Sequence, residues 1–200
     1  MTFANMTLKE FTSKLSSNSP TPGGGSVAGL SISLAASLAS MVVNLTKNGS
    51  LDQYSDDLSD HIDYALELID KDANSFNKVM DAFKMKKDTD QEIKNRKEAI
   101  QSSLYNASLT PLETIELGVQ VLEISKEVAN YGNKNAVSDA GVAALMAHAG
   151  VKGASYNVFI NSSSLSDEKK RKELEDKTNQ LVEKSDNLAK QIEEICLKKL

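Results

Sequence analysis

The sequence predicts an all-α fold, a single-domain bundle of about six or seven helices over residues 1–200 with two central helices built from small residues. Three observations predict it. Apolar residues recur at three- and four-residue steps through nearly the whole chain, and the strict alternation of a half-buried strand does not compete anywhere. Helix-start signals precede the stripes, as in Thr7-Leu8-Lys9-Glu10 and Thr110-Pro111-Leu112-Glu113. The segments from Ser26 to Thr46 and from Ser138 to Ile160 are rich in Ala, Gly and Ser and poor in charge, so they belong where backbones approach closely, with amphipathic helices around them.

Taken in order, Thr7 to Glu10 has the form of a capping box, and Leu8, Phe11 and Leu15 follow on one face of a short first helix that ends before Asn18. Pro20-Thr21-Pro22-Gly23-Gly24-Gly25 is a loop, and Ser26 is a suitable N-cap for a second helix that Lys47-Asn48-Gly49 stops. The third helix carries Tyr54, Leu58, Ile62, Ala65, Ile69, Asp72, Phe76, Val79 and Phe83 on one stripe, a carboxylate among apolar residues. A fourth follows Lys86-Lys87-Asp88 with Ile93, Ile100, Leu104 and Ala107. Pro111 either begins a fifth or kinks one long helix that reaches Ala129. Tyr131-Gly132-Asn133 breaks the pattern before the Ala/Gly-rich sixth helix. The last begins after Ser166 and sets Leu174, Leu181, Leu188, Ile192 and Ile195 on one face among many charges.

Composition narrows the function. A chain of 200 residues buries a core without disulfide or metal, and the single Cys196 has no partner for an internal bridge. With Lys9, Glu10 and Lys14 ahead of the apolar run, the start does not read as a secretory signal, and the expected location is the cytoplasm. The uncharged stretch from Ser19 to Thr46 is long enough to raise a transmembrane reading. Its serines, Asn44 and the lack of basic and aromatic flanks favour a helix buried on all sides by others. A net charge of −5 with no basic, aromatic-interleaved stripe speaks against nucleic acid.

Two junctions carry the chemistry-bearing residues. Gly23-Gly24-Gly25-Ser26 offers backbone N–H groups at a helix start, either to a ligand or simply as a tight turn between crossing helices. It lacks the Lys-Ser/Thr of a Walker loop and the preceding strand of a dinucleotide fingerprint. At the second junction, Asp139 begins a stripe with Val142, Ala143, Met146, Gly150 and Gly153, either as an ordinary first-turn carboxylate or as a site acid/base, with Asn133 and Ser138 close to it in sequence. Asp72 makes the same case in mid-helix, where an unpaired carboxylate must find a partner or stay protonated. Asn157 and Asn161 share a face with Asp139 but lie ~27 Å or more along the helix from it, too far to work on one atom within one subunit. His61 and His148 have no near ligand partner, and no metal-ligand spacing occurs. Cys196 reads as a structural thiol and Lys169-Lys170-Arg171-Lys172 as a solvated helix face.

Several of these elements in order resemble one known family. Pro20-Thr21-Pro22-Gly23-Gly24-Gly25-Ser26-Val27-Ala28, Met41-Val42, Leu45-Thr46, Asp72-x-x-x-Phe76, Pro111, Gly132-Asn133 spaced to Ser138-Asp139, and Asn157-Val158-Phe159-Ile160-Asn161 are similar to the cyclodeaminase/cyclohydrolase family of folate enzymes. The resemblance covers almost the whole chain. It implies an all-helical homodimer acting on a tetrahydrofolate, either closing 5-formiminotetrahydrofolate to 5,10-methenyltetrahydrofolate with loss of ammonia or hydrolysing the methenyl compound to 10-formyltetrahydrofolate. A carboxylate with a raised pKa would move the protons. On this resemblance Asp139 is the expected acid/base and Asp72 the second candidate. Asn133 and Ser138 would position the substrate or Asp139, and Pro22, Gly23, Gly24, Gly25 and Ser26 would hold the pterin or the glutamyl tail. No metal or redox cofactor is implied, and the formimino substrate would come from a separate formiminotransferase. Lys47-Asn48-Gly49-Ser50 departs from the Gly and basic residues common in relatives, which counts against tail binding there. Beside this reading stand a non-catalytic helical ligand-binding or scaffold protein and a membrane-associated helical protein.

Overall fold

The computed structural model describes residues 2–47 and 49–200. It contains six α-helices: α1 (Leu8–Leu15), α2 (Gly24–Asn44), α3 (Ser55–Lys84), α4 (Asp90–Tyr131), α5 (Val137–Ser162) and α6 (Glu168–Lys199), with single 3-10 turns at Phe3–Asn5, Asp52–Tyr54 and Lys134–Ala136. Among the described residues there is no strand. Asn48, part of the expected stop after the second helix, lies outside them; Gly49 beside it has a φ of 69°, the left-handed conformation glycine accepts without strain.

Local sequence accounts for most boundaries. The Thr7/Glu10 capping box forms, each side chain taking the other's backbone N–H, and an equivalent box at Thr89/Glu92 opens α4. Pro111 does not start a helix; α4 runs through it as one element of 42 residues. An interior proline costs about 3 kcal/mol because it removes a helical hydrogen bond and crowds the carbonyl four residues back. Apolar burial on both sides of it offsets that, with Leu104 and Ala107 buried before it and Ile115, Val121 and Leu122 fully buried after it.

Close approach of α2 to its neighbours depends on missing side chains. A Cβ on Gly29 would sit 3.1 Å from the Ala65 carbonyl of α3, one on Gly150 2.7 Å from the Ile32 side chain, and one on Gly118 2.9 Å from the Ile32 side chain. Because Gly24 lies by Asn157, and Ile32 by Gly150, α2 runs antiparallel to α5. The core falls into two buried clusters. One is centred on Ile32, Val42, Leu58, Leu122, Val128 and Ile192, the other on Ala28, Val79, Leu104, Ile115, Val151 and Val158.

The expectation that α2 is buried on all sides needs correction. It is a helix long and apolar enough to cross a bilayer by length and composition, and 56% of that 18-residue window is buried against the rest of the protein. Its remaining face, with Leu34, Met41 and Leu45, is open. Alongside it α5 exposes Val142, Leu145, Tyr156 and Ile160. The two small-residue helices therefore meet other helices on one side only, and the C-terminal half of α4 carries much of the core, with Ile115, Val121, Leu122 and Val128 buried while Gln120 and Glu123 stay exposed.

Candidate active site

Where α2 begins, α3, α4 and α5 enclose a cavity of about 420 Å³, within the usual range for small-molecule sites of about 300–1,000 Å³. The loop forms one wall through Pro20, Thr21, Gly23, Gly24 and Gly25; α3 gives Asp72, Ser75, Phe76, Val79, Met80 and Phe83; α4 gives Leu104 and Ala107; and α5, with the residues just past it, gives Asn157, Ile160, Asn161 and Ser164. The α3 set steps by three or four, so one helical stripe carries both the carboxylate and the apolar ring surfaces. Phe76 is 38% and Phe83 46% exposed. They are not the core residues their spacing suggests.

Asp72 is the one ionisable group in that lining. Ser26 Oγ lies 3.1 Å from Asp72 Oδ2 and 3.1 Å from the Ile69 carbonyl oxygen, so the hydroxyl hydrogen is shared between two acceptors. Burial pushes the Asp72 carboxyl up from the usual carboxylate value, and the side-chain and backbone hydrogen bonds from Ser26 only partly oppose it. Gly25 is what lets the carboxyl group lie there. A Cβ on it would be 2.1 Å from Asp72 Oδ1, a distance no real contact allows. Gly25 is needed here for space, since only Gly49 has a positive φ among the described residues.

The two expected site junctions are not brought together within this chain. In an antiparallel pair of helices the N-termini lie at opposite ends, and Gly24 beginning α2 packs by Asn157 while Asp139 is in the first turn of α5. That separates Asp139 from the cavity by roughly 27 Å along α5. Asp139 is half-buried, Ser138 is exposed, and neither makes a hydrogen bond or ion pair with another described residue through its side chain. Asn133 is committed to structure: its Nδ2 donates to the Leu45 carbonyl and its Oδ1 accepts from Asn135 N, while its backbone N–H donates to Thr46 Oγ1, all at 3.0 Å. It ties the end of α2 to the turn between α4 and α5.

Two loop residues also differ from expectation. Ser26 is not the N-cap; Gly23 takes that place and Ser26, fully buried, turns its hydroxyl to α3. Pro22 is buried beneath the loop, and neither it nor Ser26 lines the cavity. Ser75, Met80 and Ser164, which spacing did not single out, and Phe83 and Leu104, which it placed on core stripes, line the cavity because tertiary packing brings their segments together. Asn157 and Asn161, whose role the sequence left open, face the same cavity. Cys196 is buried, its thiol donating to the Val137 carbonyl at 3.5 Å, and burial raises its pKa.

An all-helical bundle with a glycine-walled, largely apolar cleft and one half-buried carboxyl group has the form of a small-molecule site. Comparison with known proteins places it. A model of the formiminotransferase-cyclodeaminase family matches residues 7–180. A methenyltetrahydrofolate cyclohydrolase of Methylorubrum extorquens is 38% identical over 183 residues, 86% of this chain and 88% of that protein. The formimidoyltransferase-cyclodeaminase of Mus musculus is 34% identical over 176 residues, which are 80% of this chain and 31% of that longer protein. A crystal structure of formiminotetrahydrofolate cyclodeaminase from Thermotoga maritima superposes with a TM-score of 0.85 at 26% identity, covering 97% of each chain. The chain belongs to the formiminotransferase-cyclodeaminase family.

Proposed function

We propose that this protein is a folate one-carbon enzyme, a cyclodeaminase that converts 5-formiminotetrahydrofolate to 5,10-methenyltetrahydrofolate and ammonia, with Asp72 as the acid/base. The observation that carries the reading is the half-buried Asp72 carboxyl group, held by Ser26 at the cavity where Gly25 makes room for it. The reaction starts from the protonated formimino group on N5. N10 attacks its carbon, and the N10 proton passes to the Asp72 carboxylate. Asp72 then returns that proton to the amino group on the tetrahedral carbon. Ammonia leaves, and the N5 lone pair closes the C=N bond of the methenyl cation. A carboxyl group with a raised pKa is suited to accept and return a proton near neutral pH. Neither electrons nor a resident cofactor enter this balance. Phe76, Met80 and Phe83 would pack against the flat pterin, and the loop amides would face its polar edge.

A second reading is methenyltetrahydrofolate cyclohydrolase, favoured by the Methylorubrum extorquens relative that matches along most of its length. There Asp72 would take a proton from the attacking water and deliver it to N5; as the C–N5 bond breaks, the hydroxyl on the tetrahedral carbon becomes the formyl C=O and its proton is released to solvent, leaving 10-formyltetrahydrofolate. Supplying purified protein with each folate and following the methenyl chromophore separates the readings. Its appearance with release of ammonia marks the cyclodeaminase, and its loss above the spontaneous rate marks the cyclohydrolase. No change with either folate sinks both.

The protein is further proposed to be a homodimer paired through the open α2/α5 face. Along α5 that face is continuous, running through Val142, Leu145, Tyr156 and Ile160, and such apolar surface on a small protein marks an interface. A two-fold pairing that sets α5 antiparallel to its copy would carry the partner subunit's Asp139 towards the Gly23 to Gly25 loop. That arrangement reunites the two junctions across subunits.

A further inference from the structure

Pro111 lies buried in the middle of α4. Lacking an N–H, it cannot donate to the carbonyl four residues back, so Ala107 loses its helical partner. Asn161 on α5 supplies one, its Nδ2 donating to Ala107 O at 2.9 Å. A carbonyl oxygen only accepts, so this bond fixes the amide plane with the nitrogen towards α4 and Oδ1 turned away from it. Ala107 and Asn161 both line the cavity, and the Asn161 side chain makes no other hydrogen bond among the described residues. One turn earlier Asn157 is held alike, its Nδ2 donating to the Gly153 carbonyl at 3.0 Å, which leaves a second amide oxygen at the same wall.

We propose that Asn161 binds substrate by accepting, through Oδ1, a hydrogen bond from an N–H on the pyrimidinone edge of the pterin, and that Pro111 is a positioning residue acting through it. The proposal rests on the folate reading above. Reduced pterins carry ring N–H and amino donors on that edge, and a cavity that binds them needs acceptors whose orientation is already set. An asparagine alone presents either its oxygen or its nitrogen. The carbonyl orphaned by Pro111 removes that ambiguity, so a residue that weakens its own helix selects the acceptor face of a neighbour.

Pro111→Ala separates this role from simple helix repair. It restores the N–H that reclaims the Ala107 carbonyl, so thermal stability should hold or rise while Asn161 comes loose. The experiment measures kcat, KM and Tm for wild type, Pro111→Ala, Asn161→Ala and the double variant, following the methenyl chromophore with whichever folate the wild type turns over. Asn161→Ala should raise KM about tenfold, the weight of one well-placed hydrogen bond, and Pro111→Ala should raise it severalfold with kcat changed less. The double variant should be no worse than Asn161→Ala alone, because the proline acts only through the amide. A wild-type KM in Pro111→Ala, or losses that simply add in the double variant, overturns the inference while leaving the folate reading intact. A wild type that turns over neither folate overturns the reading and, with it, the ligand named here.

Discussion

Gly25→Ala is the smallest substitution that reaches Asp72, and its effect follows from distances. A methyl group at this second residue of α2 would lie 2.1 Å from Asp72 Oδ1, 2.4 Å from Cγ and 2.7 Å from Oδ2. Reaching the 3.4 Å of ordinary contact from 2.1 Å takes a displacement of about 1.3 Å. Asp72 is a short side chain fixed in mid-α3, so either its carboxyl group rotates off Ser26 or the two helices part. Parting is resisted one turn on, where Gly29 brings α2 against the Ala65 carbonyl. Misplacing a reacting group by about 1 Å costs on the order of 100-fold, so kcat/KM should fall by about that factor. Overpacking costs about 1–3 kcal/mol and alanine in a helix returns up to about 1 kcal/mol. The net loss, at most about 3 kcal/mol, leaves a folded protein when total stability is about 5–15 kcal/mol. The assay pairs initial rates of methenyl formation or loss with a thermal melt. Wild-type kcat/KM in folded Gly25→Ala protein would refute the claim that this carboxyl position matters. Gly141→Ala is the control: its Cβ meets only ordinary contacts with Cys196, the nearest at 3.4 Å. It should gain up to about 1 kcal/mol without changing the rate.

The remaining predictions test the electrostatics and the assembly. Burial raises the Asp72 pKa above 3.8, so the folded state holds that proton more tightly than the unfolded chain. Stability from this group is present in full below pH ~3.8 and is lost as pH rises through the raised folded value. Asp72→Asn removes that loss, so its Tm should exceed that of wild type at neutral pH and the gap should close in acid, which calorimetry across pH will read. Leu145, 61% exposed on the open α5 face, is the place to test the proposed dimer: wild type should run as a dimer by light scattering and Leu145→Glu as a monomer. If the site forms across that face, unfolding and refolding an equal mixture of inactive Asp72→Asn and Asp139→Asn proteins should restore about a quarter of wild-type activity, because half of the dimers carry one intact site of two. An active Asp139→Asn protein removes Asp139 from the reaction.

Much of the fold is legible because helices announce themselves locally. The Thr7/Glu10 box and the α3 stripe translate directly into elements, since a cap and a 3.6-residue period are properties of a few neighbouring residues. Pro111 is ambiguous for the same reason: a proline after Thr110 satisfies a helix start locally, and only the surrounding burial and the Asn161 amide explain why α4 continues. The site is harder to read. Asp72 stands out as a carboxylate on an apolar stripe, yet nothing in its own neighbourhood tells that Ser26 will meet it. Phe76 and Phe83 look like core because spacing records which face a residue is on and not whether that face meets a neighbour or a cavity. Asn133, Ser138 and Asp139 resemble a partner for the glycine loop because both segments open small-residue helices. Antiparallel packing of α2 on α5 sends the two junctions to opposite ends, a fact of topology that no motif carries.

The most direct test of the central claim is the pH dependence of kcat/KM for wild type and Asp72→Asn, with folate binding measured alongside. Asparagine keeps the shape and can still accept the Ser26 hydroxyl, so the variant should fold and bind folate while turnover collapses. The wild-type profile should rise with pH along a limb above the usual carboxylate range, the direction in which burial shifts Asp72, and that limb should be missing from any residual rate of the variant. Asp72→Asn protein with a wild-type rate and the same acidic limb would contradict the account.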